Sequence, residues 1–315
     1  MPDSFLHERT DFKALIETVA AGQHIADPAL VEKDYWIMHA IYGLKELGLK
    51  FELKGGTSLS KGFGIIHRFS EDIDIRIEPF DGIDVKFGPN YDKPDHIESR
   101  KEFFDKLRNK IEIPGITSVE RDHEFDDKDL LRNAGLRLKY DSHFGAVSGM
   151  KDGILLEVGS DKTDPHQQVT ISSWVVDFAK DKLAFKDNRA PAIDCYNPEY
   201  TFVEKLQTVV KKFRQFREKG QVARNFLRHY YDIHQLLDYP AVQIFIGTPE
   251  YLEHKKKRFK SENQKLRETG AFTLDDTETR KLFESEYAKT AALYYRGQVP
   301  LDAILARIQK DLDRL

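Results

Sequence analysis

Between Asp72 and Ile77 the chain alternates strictly: Asp72, Asp74 and Arg76 fall on one side, and Ile73, Ile75 and Ile77 on the other. A period of two is strand geometry, so one face of this segment must be buried while the other carries charge. The two aspartates leave the same face with Cα atoms roughly 6.5 Å apart. Carboxylates that close repel each other unless a cation lies between them, and they suit a hard divalent ion such as Mg2+ or Mn2+. A solvated strand face eased by Arg68 and Arg76 uses the same residues. An EF-hand loop does not fit, because Arg76 stands where that pattern needs Asp or Asn.

The segment before this strand sharpens the choice. Phe51-Glu52-Leu53 reads as a short strand entering Gly55-Gly56, followed by Thr57, Ser58 and a short helix to Phe63. Two glycines after a strand let backbone amides approach a phosphate without Cβ interference. Alone, they fit a tight turn equally well. The order matters more: strand, Gly-Gly-Thr-Ser, helix, Arg68-Phe69-Ser70, then Asp-x-Asp on a second strand. It is suited to presenting a triphosphate to a bound metal.

The remaining pattern predicts an α+β first half and a helical second half. Asp27-Pro28 opens an amphipathic helix ending near Gly48, with Leu30, Ile37, Ile41 and Leu44 at helical spacing. Arg100 to Ile111 reads as a helix. Leu136 to Tyr140, Ile154 to Val158 and Gln168 to Val176 read as strands. The polar segment Lys186 to Ile193 reads as a joint between domains 1–193 and 194–315. After it, Asn197-Pro198 starts a helix with an apolar stripe of Phe202, Leu206, Val209, Phe213 and Phe216. A second helix is expected from about Val222 to Leu237. The remainder, including Lys281 to Tyr295 and Leu301 to Leu315, is also expected to be helical in pattern, with a charged loop between.

Composition narrows the class. The chain has 315 residues, 40% of them hydrophobic, with 49 Lys plus Arg against 53 Asp plus Glu. That excludes a disordered chain, and net acidity argues against indiscriminate polyanion binding. The single cysteine, Cys195, excludes an intramolecular disulfide and a Cys-rich zinc site; it precedes a helix start and is read as structural. No apolar stretch approaches the roughly 18 residues of a membrane span, and the first residues lack an apolar signal region. The expectation is a soluble, cytoplasmic protein without a membrane partner. There is no GxxxxGK phosphate loop, no HExxH, and no complete dinucleotide fingerprint.

With those residues in view, the sequence resembles the AbiEii/AbiGii nucleotidyltransferase toxin family of type IV toxin–antitoxin and abortive-infection systems. The match covers Gly55, Gly56, Thr57, Leu59, Arg68, Ser70, Asp72 and Asp74. Glu32-Lys33-Asp34-Tyr35-Trp36, Arg228-His229-Tyr230-Tyr231-Asp232-Ile233 and the C-terminal stretch with Tyr287, Leu293 and Leu301 to Ile308 are similar to further family motifs.

The resemblance implies a nucleotidyltransferase-fold mixed sheet with flanking helices, followed by a C-terminal helical domain. It implies an NTP substrate whose phosphates lie on Gly55, Gly56, Thr57 and Ser58, with Arg68 and Ser70 nearby. It also implies a third acid, for which Glu157 inside the apolar Ile154 to Val158 strand is the candidate, as metal ligand beside Asp72 and Asp74 or as base. An edge position facing water is the alternative for Glu157. Lys205 is expected to contact phosphate, and Asp232 to orient Lys205 or the nucleobase. Solvation of Lys205, and an intrahelical Arg228–Asp232 pair, are the competing readings.

The implied reaction is Mg2+-dependent transfer of a nucleotide to an acceptor hydroxyl, on RNA such as a tRNA end, releasing pyrophosphate. A cognate antitoxin is the implied regulator. The eight Lys or Arg between Lys205 and Arg228 can guide an RNA backbone, as can Lys255 to Lys260, although both also suit plain solvation. Alternatives are a nucleotide-binding interaction protein without transfer, and an enzyme that nucleotidylates proteins.

Overall fold

The alternating segment forms an inner strand of a seven-stranded sheet in the computed structural model, which describes residues 4–315 apart from 89, 146–149, 151, 162, 224 and 261–263. Two units emerge: Met1–Phe63 with Phe69–Tyr196, and Gly64–Arg68 with Asn197–Leu315. The first contains α1 (Phe12–Gly22), α2 (Pro28–Glu46), β1 (Phe51–Lys54), the single turn α3 (Gly55–Thr57), β2 (Asp72–Ile77), α4 (Pro94–Lys110), β3 (Ile116–Asp122), β4 (Ala134–Tyr140), β5 (Ile154–Gly159), β6 (His166–Ile171), α5 (Trp174–Ala179) and β7 (Ala190–Tyr196). A π-helical turn, Ser58–Gly62, continues α3.

The strand order is β3-β4-β5-β2-β1-β7-β6. Pairs β2/β5 and β1/β7 are parallel and the rest antiparallel, so the sheet is mixed. Ile73, Ile75 and Ile77 are buried, together with Leu53, Leu136, Leu156 and Val158 from neighbouring strands. The apolar half of the alternation is therefore what fixes β2 in the core, and it leaves Asp72 and Asp74 together on the opposite face.

Helix α2 departs from expectation. Asp27 caps it by accepting the Ala29 N–H (3.0 Å), and Pro28 occupies the first turn as predicted. Yet the helix is buried on nearly every side rather than along one stripe, because α1, α5 and strands β2, β5 and β7 all pack against it. Its buried residues include Glu32, Lys33 and Asp34.

Three further differences have local causes. Residues 186–193 are not a joint: Ala190–Tyr196 is β7, inserted between β1 and β6, so the first unit ends at Tyr196 rather than at 193. The expected strand Gln168 to Val176 splits into β6 and α5, because the Ser173 hydroxyl accepts the Val176 N–H (3.2 Å) and starts a helix. Strand β3 and helix α1 escape the sequence pattern; β3 is a charged edge strand whose residues are exposed or half-buried.

The second unit contains α6 (Pro198–Lys219), α7 (Arg228–Leu237), α8 (Pro240–Phe245), α9 (Pro249–Phe259), α10 (Thr277–Ala288) and α11 (Leu301–Asp311). Phe202, Leu206, Val209 and Phe213 are buried as the stripe predicts, and Gly220 closes α6 in the left-handed conformation (φ 70°). Helix α7 starts at Arg228 rather than near Val222. The remainder is helical as its pattern implies, beginning with α8 and α9, the latter capped by the Thr248 hydroxyl on the Tyr251 N–H (3.2 Å). Among the described residues no helix is long and apolar enough to cross a membrane.

In the first unit, buried His39 of α2 packs against half-buried His7 from the segment before α1. His39 Nε2 donates to the Pro114 carbonyl (2.9 Å), and Asn188 Nδ2 donates to His39 Nδ1 (2.9 Å), which satisfies the neutral ring completely. His7 Nδ1 lies 2.8 Å from the Tyr35 hydroxyl and its ring 4.8 Å from that of His39. Burial, then the neighbouring His39, lowers the His7 pKa from 6.5 to about 3. Burial lowers His39 to about 4, against the pull of the Pro114 carbonyl.

Below pH 6.5 the unfolded chain therefore binds protons that the folded chain refuses, so the stability these neutral rings hold is complete above 6.5 and is lost as pH falls toward 4. Urea unfolding at pH 7 and pH 4.5 is expected to show a loss on the order of 2 kcal/mol or more from these two residues. A His39→Gln variant should lose measurably less over the same interval.

Candidate functional site

The two halves of the sequence motif are brought together by register. Lys54 at the end of β1 pairs with Asp74 on β2, and Asp74 pairs in turn with Glu157 on β5. Asp72 lies on the same face two residues earlier, opposite Leu155. Because β5 lies between β4 and β2, Glu157 is on an inner strand, which removes the edge position that its sequence allowed. Its carboxyl is pushed from 4.5 up to about 8, first by burial and then by Asp74 and Asp72, with Lys54 and Arg137 pulling the other way.

Gly55 makes this approach possible. Its φ is +73°, and a Cβ built there would lie 2.1 Å from Asp74 Oδ2. No other residue type both adopts that conformation without strain and leaves the carboxylate its place. Thr57 then ties the turn to the acidic strand, its hydroxyl donating to the Asp72 carbonyl (2.6 Å). Ser58 Oγ is 3.4 Å from the Gly55 carbonyl. The side chains of Thr57 and Ser58 are buried, so what Gly55, Gly56, Thr57 and Ser58 present to a ligand is backbone. Ser70 is half-buried in the connection leading into β2.

The motif similarity of Glu32-Lys33-Asp34 assigns these residues no task. The structure supplies one. Glu32 accepts from the Ser142 hydroxyl (2.6 Å) and the His143 N–H (3.0 Å). Lys33, its pKa lowered by burial, has Glu71 and Asp72 as its main opposing charges. Asp34 pairs with Lys61 Nζ at 2.6 Å and accepts the Trp174 N–H at 2.9 Å, while Lys61 lies 4.0 Å from the Trp174 ring centroid. Burial raises the Asp34 pKa, with Lys61 opposing. Three successive charges on one buried helix thus hold a loop, the base of the acidic strand, and the π-helical turn behind the glycines. Their signal in the sequence was a run of charge inside an otherwise apolar helix.

Asp72, Asp74 and Glu157 supply oxygen donors only, the donor set that a hard cation prefers. After burial, Asp74 and Asp72 contribute to raising the Glu157 carboxyl, a repulsion that such a cation would relieve. Among the described residues, no group of three or more His, Cys, Asp or Glu side chains is placed so that it could hold a metal ion together. The acids share a face and a field rather than a closed cage.

The remaining predicted residues lie in the second unit. Asp232 on α7 is fully buried and accepts two hydrogen bonds from Arg68, Nε to Oδ1 and Nη2 to Oδ2, both 2.7 Å. Lys205 Nζ on α6 lies 2.8 Å from Asp232 Oδ2 and 3.4 Å from His229 Nδ1. Arg68 is thus engaged with Asp232, and Lys205 is buried and paired rather than solvated. Burial would raise the Asp232 pKa, but Arg68 and Lys205 outweigh it and hold the carboxyl well below the usual range. Burial and the Lys205 charge keep His229 neutral. Of the basic residues in α6, Lys211, Arg214, Arg217 and Lys219 are exposed, with Arg214 3.1 Å from Glu218. Arg224 lies outside the described residues. In the second basic cluster Lys255 turns inward to the Leu315 carbonyl and Arg258 reaches Glu204 at 3.6 Å.

The family profile described as "Nucleotidyl transferase AbiEii toxin, Type IV TA system" matches residues 36–307. The chain belongs to the AbiEii nucleotidyltransferase toxin family. The matched span contains the glycine turn, all three acids, Lys205 and Asp232, and begins just after Glu32 to Tyr35. Among solved structures, an antigenic nucleotidyltransferase-like protein from Paracoccidioides brasiliensis aligns at 14% identity with a TM-score of 0.35, covering 71% of this chain and 93% of that one. A search of curated proteins finds no match.

Three substitutions test the geometry of this AbiEii chain. Gly55→Ala should cost about 1–3 kcal/mol in denaturant unfolding, through left-handed strain and displacement of Asp74. Asp232→Asn leaves Arg68 and Lys205 buried without their counter-charge and should cost roughly 3–5 kcal/mol, whereas Arg214→Ala, at the exposed pair with Glu218, should cost less than about 1 kcal/mol.

Proposed function

We propose that this AbiEii toxin transfers a nucleotide from an NTP to an acceptor hydroxyl on RNA, a tRNA end being the favoured acceptor, with Mg2+ or Mn2+ held by Asp72 and Asp74. The observation that carries the reading is the crowding of Asp72, Asp74 and Glu157 beside Gly55. A structural strand has no need for three carboxylates on one inner face; a divalent ion and a triphosphate do.

Bound there, Mg2+ supplies Lewis-acid stabilisation of the charge that develops on the phosphates. The chain's own residues do the rest. Backbone at Gly55 to Ser58 receives the phosphates, with Ser70 alongside. Glu157, whose carboxyl is raised to about 8, serves as third ligand or takes the proton from the acceptor hydroxyl. That oxygen forms a bond to the α-phosphorus as the bond to pyrophosphate breaks. The phosphate contact that family resemblance gives to Lys205 belongs to the proposal, with Asp232 fixing its ammonium. Arg68, through its bidentate hold on Asp232, supports that arrangement rather than contacting nucleotide itself. The exposed Lys211, Arg217 and Lys219 favour an RNA acceptor over a protein one. Family membership implies a cognate antitoxin as regulator.

The test uses purified protein, Mg2+, each α-labelled NTP in turn, and total RNA or total protein as acceptor. Label is expected on RNA, and the Asp72→Asn, Asp74→Asn double variant should lose at least about 100-fold of it. The metal-free thermal midpoint of that variant should not fall. Label on protein would move the acceptor class. Nucleotide binding without transfer would make the chain a binding protein, and gross unfolding of the variant would make the aspartates structural.

A further inference from the structure

Lys54 has no place in the chemistry above, yet it lies in the middle of it. It is the residue before Gly55, its backbone is extended (φ −133°, ψ −174°), and it stands beside Asp74 in the β1/β2 register, which places it in line with Glu157 across β2. Its side chain is half-buried. Nζ would lie 3.7 Å from a Cβ on Gly159, the β5 residue two past Glu157 and paired with Arg76. The lysine therefore stretches from β1 across β2 to β5, over the face that carries the acids.

The charge is felt where the site is most crowded. Lys54 and Arg137 are the two cations that offset burial and the two aspartates at Glu157. Arg137 is committed elsewhere: its guanidinium is held by Asp122, with Nε 3.1 Å from Oδ2. Lys54 is the cation of the pair that comes from the residue leading into the glycine turn.

We propose that Lys54 is a resident counter-cation of the acidic face, a positioning residue that disfavours a divalent ion arriving alone and favours one arriving with a polyphosphate. The inference rests on the reading of Asp72, Asp74 and Glu157 as metal ligands. A fixed positive charge within several ångströms of a bound dication repels it, whereas the same charge at the entry to the glycine turn attracts phosphate. One side chain thus acts with opposite sign on the two components of a metal–nucleotide complex. The consequence is a preference for the preformed complex as substrate.

Calorimetry on the full chain tests this without turnover, using Mn2+ alone and inorganic tripolyphosphate alone as probes. Relative to wild type, Lys54→Met should bind Mn2+ roughly tenfold or more tightly and tripolyphosphate roughly tenfold or more weakly. Lys54→Arg should restore both toward wild type. A merely structural loss would weaken both ligands together, and thermal midpoints of the variants separate that case. Equal, weaker or undetectable Mn2+ binding in Lys54→Met overturns the proposal. Failure of wild type to bind tripolyphosphate would instead count against the phosphate cradle of the proposed function, while the Mn2+ comparison still decides the role of Lys54.

Discussion

Gathering three carboxylates on one face of an inner sheet is the constraint to which the rest of the first unit answers. Asp72, Asp74 and Glu157 are neighbours by register, and burial together with mutual repulsion lifts the Glu157 pKa to about 8. A chain selected only for stability would dissipate that charge. Here the surroundings preserve it: Gly55 leaves Asp74 its space, Thr57 ties the turn to the Asp72 carbonyl, and Lys33, Lys54 and Arg137 moderate the field. The glycine turn and the acids are thus a single construction, held together by contact and charge as well as by sequence proximity.

Helix α2 extends the same logic inward. Burying Glu32, Lys33 and Asp34 in succession costs desolvation that apolar residues would avoid. Each is matched with a partner from a different segment, so the cost is offset by orientation: a loop, the start of β2 and the π-helical turn are all referred to one rigid helix. The second unit solves a related problem with the opposite sign. There one buried carboxylate, Asp232, holds two cations, Arg68 and Lys205, and a neutral His229. Both arrangements fix the direction of ionised groups that would otherwise sample many rotamers.

Legibility in the sequence followed the strength of local pattern. The β2 alternation, the Asp27-Pro28 and Asn197-Pro198 helix starts and the α6 stripe are short-range signals whose periods match one element type, and they appear where expected. The readings that differ lack such a signal or had it overridden. Residues 190–196 look like a polar connection until β1 and β6 close around them. The run after Gln168 carries strand formers, but a single serine cap turns its second half into helix. Lys205 has the spacing of a solvated lysine, and only the approach of Asp232 and His229 makes it a buried one. Arg68 belongs to the motif by sequence, and its buried partner Asp232 lies 164 residues further along the chain.

What the sequence determined by itself was the existence of the glycine turn and the two-faced acidic strand, because both follow from steric rules that act within a few residues: a missing Cβ permits positive φ, and a period of two separates charge from core. Tertiary structure alone decided that Glu157 lies on an inner strand in register with Asp74, which lysines stand against the acids, and which arginine holds Asp232. Those choices depend on strand order and helix packing, and so on charges that meet across long stretches of chain, where electrostatics and burial act through space and leave no periodic trace along the sequence.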